Sequence, residues 1–202
     1  MLDLQIVKTS ELKNFCDNNI YDAVIVMPAI KMALAKSLAK VLIDRANHPG
    51  LLVIANDDRG LGFISTANKI YERTNSRYFA YIAQDAFPGK DWLALAMKKM
   101  KKSGAGLLAF NDGKWFGSLA SFGLVDRIFT NSLYKNLLFY PEYKSHFADT
   151  ELSIIAKNAN TLAYDPDCVM IEVDYLKHSR YQNRADKKLF NQRNQNGFPL
   201  IA

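Results

Sequence analysis

A chain of 202 residues, 49% hydrophobic and 23% charged, can bury one sizeable core and is too apolar for a disordered segment. Its 26 basic residues against 20 acidic ones leave a formal charge of +6, which suits an acidic partner: nucleic acid, anionic lipid or a phosphorylated small molecule. The apolar runs are shorter than a membrane span, no signal-peptide pattern opens the chain, and Cys16 and Cys168 lack C-x-x-C spacing. A cytoplasmic protein with buried free thiols is therefore expected, and disulfide, redox and zinc chemistry are not.

In chain order, residues 4–7 read as a short strand and 11–18 as a short helix. The run Tyr21-Asp22-Ala23-Val24-Ile25-Val26-Met27-Pro28 is compact and apolar until proline stops it, as expected of a buried parallel strand. Ile30, Leu34, Leu38, Val41 and Leu42 then recur at helical spacing, predicting a helix over 30–46 that His48-Pro49-Gly50 closes. The rhythm repeats as a strand over 51–55, a helix over 62–73, a strand over 78–84, a helix over 91–102 with Asp91 as N-cap, and a strand over 105–110. Beyond Asn111, the Gly-rich and aromatic stretch 113–123 and the aromatics of 134–143 around Pro141 suit a pocket better than more sheet. A helix over 149–158 and a strand over 169–175 follow. Such alternation predicts an α/β fold, one domain over 1–202 with a mainly parallel central sheet and helices on both faces. Segment boundaries fall after 111 and after 176, the last piece being a basic tail over 177–202 that reads equally as a surface helix.

Ligands of parallel sheets collect beyond the carboxyl ends of the strands. The ends in question are Met27-Pro28, Asn56-Asp57-Asp58 and Gln84-Asp85, three edges of one expected crevice. Gly60 and Gly62 allow positive φ or close approach of a ligand, and the amides that open the next helix offer a place for a phosphate. Neither G-x-G-x-x-G nor G-x-x-x-x-G-K-[ST] occurs, which argues against a Rossmann dehydrogenase and a P-loop NTPase.

Asn56, Gly60, Asn68 and the strand end Gln84-Asp85, followed by Pro88 and Asp91-Trp92-Leu93, then Asp149-Thr150-Glu151-Leu152 and a late His178, stand in an order that resembles nucleotide-sugar-dependent glycosyltransferases of GT-A fold, family 2-like. The resemblance runs over roughly residues 22–186. It implies that 1–111 is the nucleotide-sugar half and 112–176 the acceptor half. Asn56, Asp57, Asp58, Arg59, Gly60, Gly62, Asn68 and Gln84 are then expected around the donor. Asp85 and His178 would bind Mn²⁺ or Mg²⁺, and Asp149, with Glu151 beside it, would be the base that accepts the acceptor proton. The family's D-x-D is here Ala83-Gln84-Asp85, one carboxylate short.

The chemistry asks for these residue types. A leaving diphosphate is stabilised by a hard cation on carboxylate oxygen, and a sugar hydroxyl attacks well only as a base takes its proton. Trp115, Phe116 and Tyr143 offer apolar faces to a sugar ring, or belong to the core. Each candidate has a plainer reading: Asn56 to Gly60 as turn composition, Asp85 as a strand-end turn, Asp149 and Glu151 as a helix cap and its first turn. The expected partners are a nucleotide-sugar donor and a glycan or lipid-linked acceptor in surface glycan synthesis, with inversion at the sugar. Peripheral contact with the inner face of a membrane through the tail, and no nucleic acid, complete the expectation. The alternatives are a non-catalytic nucleotide-, nucleic-acid- or membrane-binding module on the same fold, or a nucleotidyltransferase, which needs carboxylates that are not evident.

Overall fold

The computed structural model describes residues 1–173 and 183–201. Its strands are β1 (Leu2–Lys8), β2 (Ile20–Ala29), β3 (Gly50–Asn56), β4 (Asn75–Tyr81), β5 (Ala86–Pro88), β6 (Leu107–Asn111), β7 (Gly123–Asp126) and β8 (Leu162–Glu172). Its helices are α1 (Met32–Asp44), α2 (Phe63–Glu72), α3 (Trp92–Ser103), α4 (Arg127–Tyr134), α5 (Ala148–Asn158) and α6 (Arg184–Gln195). No helix among the described residues is long and apolar enough to cross a membrane.

β2 shows why the sheet is covered on both sides. Ala23, Ile25, Met27 and Ala29 enter one apolar cluster, Val24 and Val26 the other, and all are buried. Strand alternation thus produces two apolar faces from one apolar run. Leu38 and Leu42 of α1 and Trp92 and Met97 of α3 cover the first face; Ile64 and Ile70 of α2, Leu133 of α4 and Leu152 of α5 cover the second. The Trp92 indole N–H donates to the Leu42 carbonyl at 3.0 Å, locking α3 against α1.

The strand order is β1-β3-β2-β4-β7-β6-β8-β5. The pairs β1/β3, β2/β3, β2/β4 and β6/β8 are parallel, while β4/β7, β6/β7 and β5/β8 are antiparallel. The fold is α/β, with a sheet only partly parallel. β7 begins at Gly123, the last residue of the stretch 113–123 read as pocket wall, and was not expected. Gly123 admits it: a Cβ there would lie 2.6 Å from the hydroxyl oxygen of Tyr81, its partner across the pair. β2, β3, β4 and β6 still end on one edge, because β6 and β4 both run opposite to β7.

Other expectations change in detail. Residues Thr9–Asn14 form a 3₁₀ turn rather than an α-helix, and β8 begins at Leu162. Asp91 stands at the N-cap of α3 in a left-handed conformation, with no side-chain capping bond. α5 begins at Ala148 after Phe147, so Asp149 lies inside its first turn. Cys168 is buried, its thiol pushed up to about 12 by desolvation, but Cys16 is exposed.

Candidate active site

Where β4 ends, a cavity of about 400 Å³ opens between the start of α2, the segment after β6 and the start of α5. Tyr81 and Ala83 come from the strand end, Phe63 and Ile64 from the first turn of α2, and Trp115 and Phe122 from the segment after β6. His146, Phe147 and Asp149 come from the approach to α5. Three carboxylates, Asp112, Asp149 and Glu172, stand in a wall otherwise rich in aromatic rings.

Asp149 is half-buried in that wall. Burial raises its carboxyl above the ordinary Asp range, against the amides of the first turn and the His146 charge, which hold it down. Its charge reaches the Tyr81 hydroxyl, whose pKa is raised by burial first and by Asp149 second, and which donates to the Ala120 carbonyl at 2.7 Å. A carboxylate desolvated within a cavity is suited to accept a proton near neutral pH.

Three further aspartates shape the loops around it. Asp112 accepts the amides of Lys114 and Trp115, both at 2.9 Å, and the Ser121 hydroxyl, folding this segment so that Trp115 is 49% exposed at the cavity. Lys114 Nζ reaches Glu172 at 2.6 Å, tying the same segment to the end of β8. Asp186, buried on α6, accepts the amides of Lys144, Ser145 and His146 at 3.0, 2.9 and 2.9 Å and so holds the approach to α5. Asp57 accepts the amides of Leu61 and Gly62, both at 2.8 Å. Gly62 has φ 83° and ψ 167°, a region open essentially to glycine, and a Cβ there would lie 2.9 Å from the Lys144 carbonyl oxygen. The turns that lead into α2 and α5 therefore touch. Asp112 and Asp186 carried no sequence signal beyond their charge, since their partners are backbone amides.

Most residues expected around the donor hold structure together. Asp57 already occupies the Leu61 and Gly62 amides, so the place expected for a phosphate narrows to the amides of the first turn of α2, with Phe63 and Ile64 in the cavity wall. Asp58 accepts the Thr9 hydroxyl at 2.8 Å and both the amide and hydroxyl of Ser10; the Ser10 bonds are the main cause of its pKa falling to about 2. Asn68 is buried and clamps the Phe139 backbone, donating to its carbonyl and accepting its amide. Gln84 Oε1 accepts the amides of Ile30 and Lys31 at 3.0 and 2.8 Å, capping the turn into α1. Asn56 is half-buried at the end of β3, and Arg59 and Gly60 are exposed.

Glu151 is turned away from the cavity. It is buried on the inner side of α5, where it takes two bonds from Arg193, both at 2.8 Å, and the hydroxyls of Tyr134 and Tyr143 at 2.9 and 2.8 Å. The expectation that Glu151 joins Asp149 in acceptor chemistry, and that Tyr143 offers a sugar face, is not met by this geometry. Asp85 follows β4, half-buried, with its carbonyl accepting the Val173 amide at 2.9 Å. His178, its expected companion, lies outside the described residues, among which no group of three or more His, Cys, Asp or Glu is arranged to hold a metal ion.

No protein-family model and no curated protein matches the sequence. Solved structures do resemble the fold. The mannosyltransferase PcManGT from Pyrobaculum calidifontis, solved with GDP-Man and Mn²⁺, aligns with a TM-score of 0.58 at 11% identity over 80% of this chain and 59% of its own. S. aureus TarS aligns with a TM-score of 0.58 at 11% identity over 88% of this chain and 45% of its own. TarS 1–349 with UDP gives 0.50 at 11% identity over 98% and 72%. The chain thus spans 59% of the mannosyltransferase and less than half of TarS. With its strand ends gathered on one edge and a cavity beyond them, the chain has the GT-A-like fold of nucleotide-sugar-dependent glycosyltransferases.

Proposed function

We propose that this protein is a glycosyltransferase that moves a sugar from a nucleoside-diphosphate sugar to an acceptor hydroxyl. The observation that carries this reading is Asp149, a half-buried carboxylate with a raised pKa in the wall of a cavity at the carboxyl edge of a GT-A-like sheet. Asp149 accepts the proton of the attacking hydroxyl; the new C–O bond forms at the anomeric carbon as the bond to the diphosphate breaks, and the electron pair leaves with the diphosphate. Attack from the face opposite the leaving group inverts the anomeric centre. Trp115, half exposed at the cavity, supplies a ring on which an acceptor sugar packs.

The donor set for a metal is one carboxylate, Asp85, since the Gln84 carboxamide oxygen is already engaged by two amides. One or two carboxylates plus substrate phosphates is how Mg²⁺-type cations are held, so this set fits a cation shared with the donor rather than a preformed cage. Bound there by Asp85, Mn²⁺ or Mg²⁺ would neutralise charge on the departing diphosphate. UDP and GDP are therefore expected to raise the melting temperature more with Mn²⁺ than without it, and Asp85→Asn to remove the metal-dependent part. A metal-dependent shift that survives in Asp85→Asn removes Asp85 from the donor site.

The acceptor we propose is lipid-linked. Arg184, Lys187 and Lys188 line one exposed groove on α6 and offer anionic lipid a basic surface, while Arg193 of the same helix is buried and contributes nothing to it. Each basic residue near such a surface is worth roughly 1 kcal/mol, screened by salt. Co-sedimentation with anionic vesicles is expected to weaken in 0.5 M salt (roughly a 4 Å screening length) and on replacing these three residues by Ala; equal pelleting with neutral vesicles discards the membrane contact.

A further inference from the structure

At the opposite edge of the sheet, where β2 and β4 begin, a second cavity of about 850 Å³ lies between the end of α2 and the start of α4. Seven residues of β4 separate the two edges, roughly 20 Å at strand spacing. Arg127 is in the wall of this second cavity. Its guanidinium lies 3.9 Å from the centre of the Tyr71 ring and 4.9 Å from that of Phe79. Nε donates to Ser76 Oγ at 3.1 Å, Nη1 to the Tyr71 carbonyl at 2.8 Å and Nη2 to Thr74 Oγ1 at 2.9 Å. All three acceptors are uncharged. A guanidinium has five N–H groups; these three bonds use one on each nitrogen, and the Tyr71 side chain interacts with it as well.

The charge is met by the Tyr71 and Phe79 rings rather than by a carboxylate. Among the described residues no carboxylate forms an ion pair with Arg127: the adjacent Asp126 pairs with Arg77 at 2.5 Å, and Glu72 with Arg73 at 3.6 Å. Burial lowers the Arg127 pKa to about 10, as desolvation of a cation without a counter-ion does. Removing such a charge from water is costly unless an anion is present. Nearby, Asn131 accepts the Tyr71 hydroxyl on Oδ1 at 2.7 Å, which leaves its amide nitrogen to donate, and Asn75 and Asn18 also line the cavity.

We propose that this second cavity binds a small soluble oxyanion of the phosphate class, recognised by the charge and terminal N–H groups of Arg127 with the Asn131 amide as a further donor. Arg suits this role because its planar fork can give two parallel bonds to one tetrahedral anion. The site is separate from the Asp149 cavity and independent of the transfer reaction.

The test titrates inorganic phosphate into the full chain, with chloride at matched ionic strength as control, and follows melting temperature and backbone amide NMR shifts. A saturable rise in melting temperature with phosphate alone is expected, with shifts at Ser76, Arg127 and Asn131. Arg127→Gln should abolish both responses, and Asp85→Asn at the other edge should retain both. Asn131→Asp keeps the acceptor for Tyr71 but puts a negative charge where the amide donor stood, so phosphate affinity should fall at least tenfold; this variant serves if Arg127→Gln does not fold. A phosphate response equal to that of chloride, shifts confined to the Gly62 and Asp85 edge, or unchanged affinity in Asn131→Asp overturns the proposal.

Discussion

Asp149→Asn is expected to lower sugar transfer by about 10²- to 10⁴-fold, the usual loss on removing a general base, while the protein melts at or above the wild-type temperature. Both effects follow from the burial of one carboxyl. In the folded chain Asp149 titrates above its unfolded value of about 3.9, so the folded state holds the proton more tightly, and this contribution to stability is lost as pH rises through the raised value. At neutral pH the wild type bears the desolvation of a charged group that Asn lacks, and below about pH 4 both side chains are neutral and the melting temperatures should converge. The rate behaves oppositely: kcat/KM should rise with pH along a limb that lies above the ordinary Asp range, and the variant should lack that limb. Transfer and melting measured side by side from about pH 4 to 8 check this. Wild-type turnover in Asp149→Asn would leave Asp149 with a structural role only and turn attention to Asp112, the next carboxylate in the same wall.

The first half of the fold was legible because its signals are local. A strand buried on both faces must be apolar at both parities, as residues 23–29 of β2 are, and a helix covering it must repeat at three and four, as Leu38 and Leu42 do together with Ala35 and Ala39, while Leu34, expected with them, is exposed. β7 gave no such signal. It has four residues, follows a stretch rich in glycine and serine, and owes its place to the small Gly123 against Tyr81, a contact between residues 42 apart that no local pattern records. The same reason separates Asp149 from its neighbours in the candidate site. Its position at a helix start beside an aromatic region is local, and the resemblance of Asp149-Thr150-Glu151-Leu152 drew attention to it. What Asp58, Asn68, Gln84 and Glu151 do depends on partners 48, 71, 54 and 42 residues away, so a polar residue next to a motif looked like a ligand contact when its bonds close the protein on itself. Part of the basic tail is a helix, the other of its two readings, but Asp186 and Arg193 sit among exposed Lys and Arg and yet are buried against α5 and the segment before it.

Arg193→Ala is expected to destabilise the fold by about 3 to 5 kcal/mol, the cost of leaving a buried carboxylate without its partner. For a chain of this size that is a fall of roughly 6 to 20 °C in melting temperature. Arg193 gives Glu151 two bonds, donates to the Pro199 carbonyl at 3.1 Å and stacks 3.4 Å from the centre of the Tyr140 ring, so one truncation loosens α6, the C-terminal turn and α5 together. In the variant Glu151 is buried without a cation, and its only remaining partners are the Tyr134 and Tyr143 hydroxyls. A double variant, Glu151→Gln with Arg193→Met, removes both charges, keeps a carboxamide oxygen to accept from the Tyr134 and Tyr143 hydroxyls, and should recover part of the loss. Transfer assayed well below the melting temperature separates this pair from Asp149. Glu151 and Arg193 belong to the scaffold, so the double variant should retain most of its turnover per folded molecule, while Asp149→Asn, folded and stable, should not. A double variant that melts normally but has lost transfer would bring Glu151 back into the chemistry.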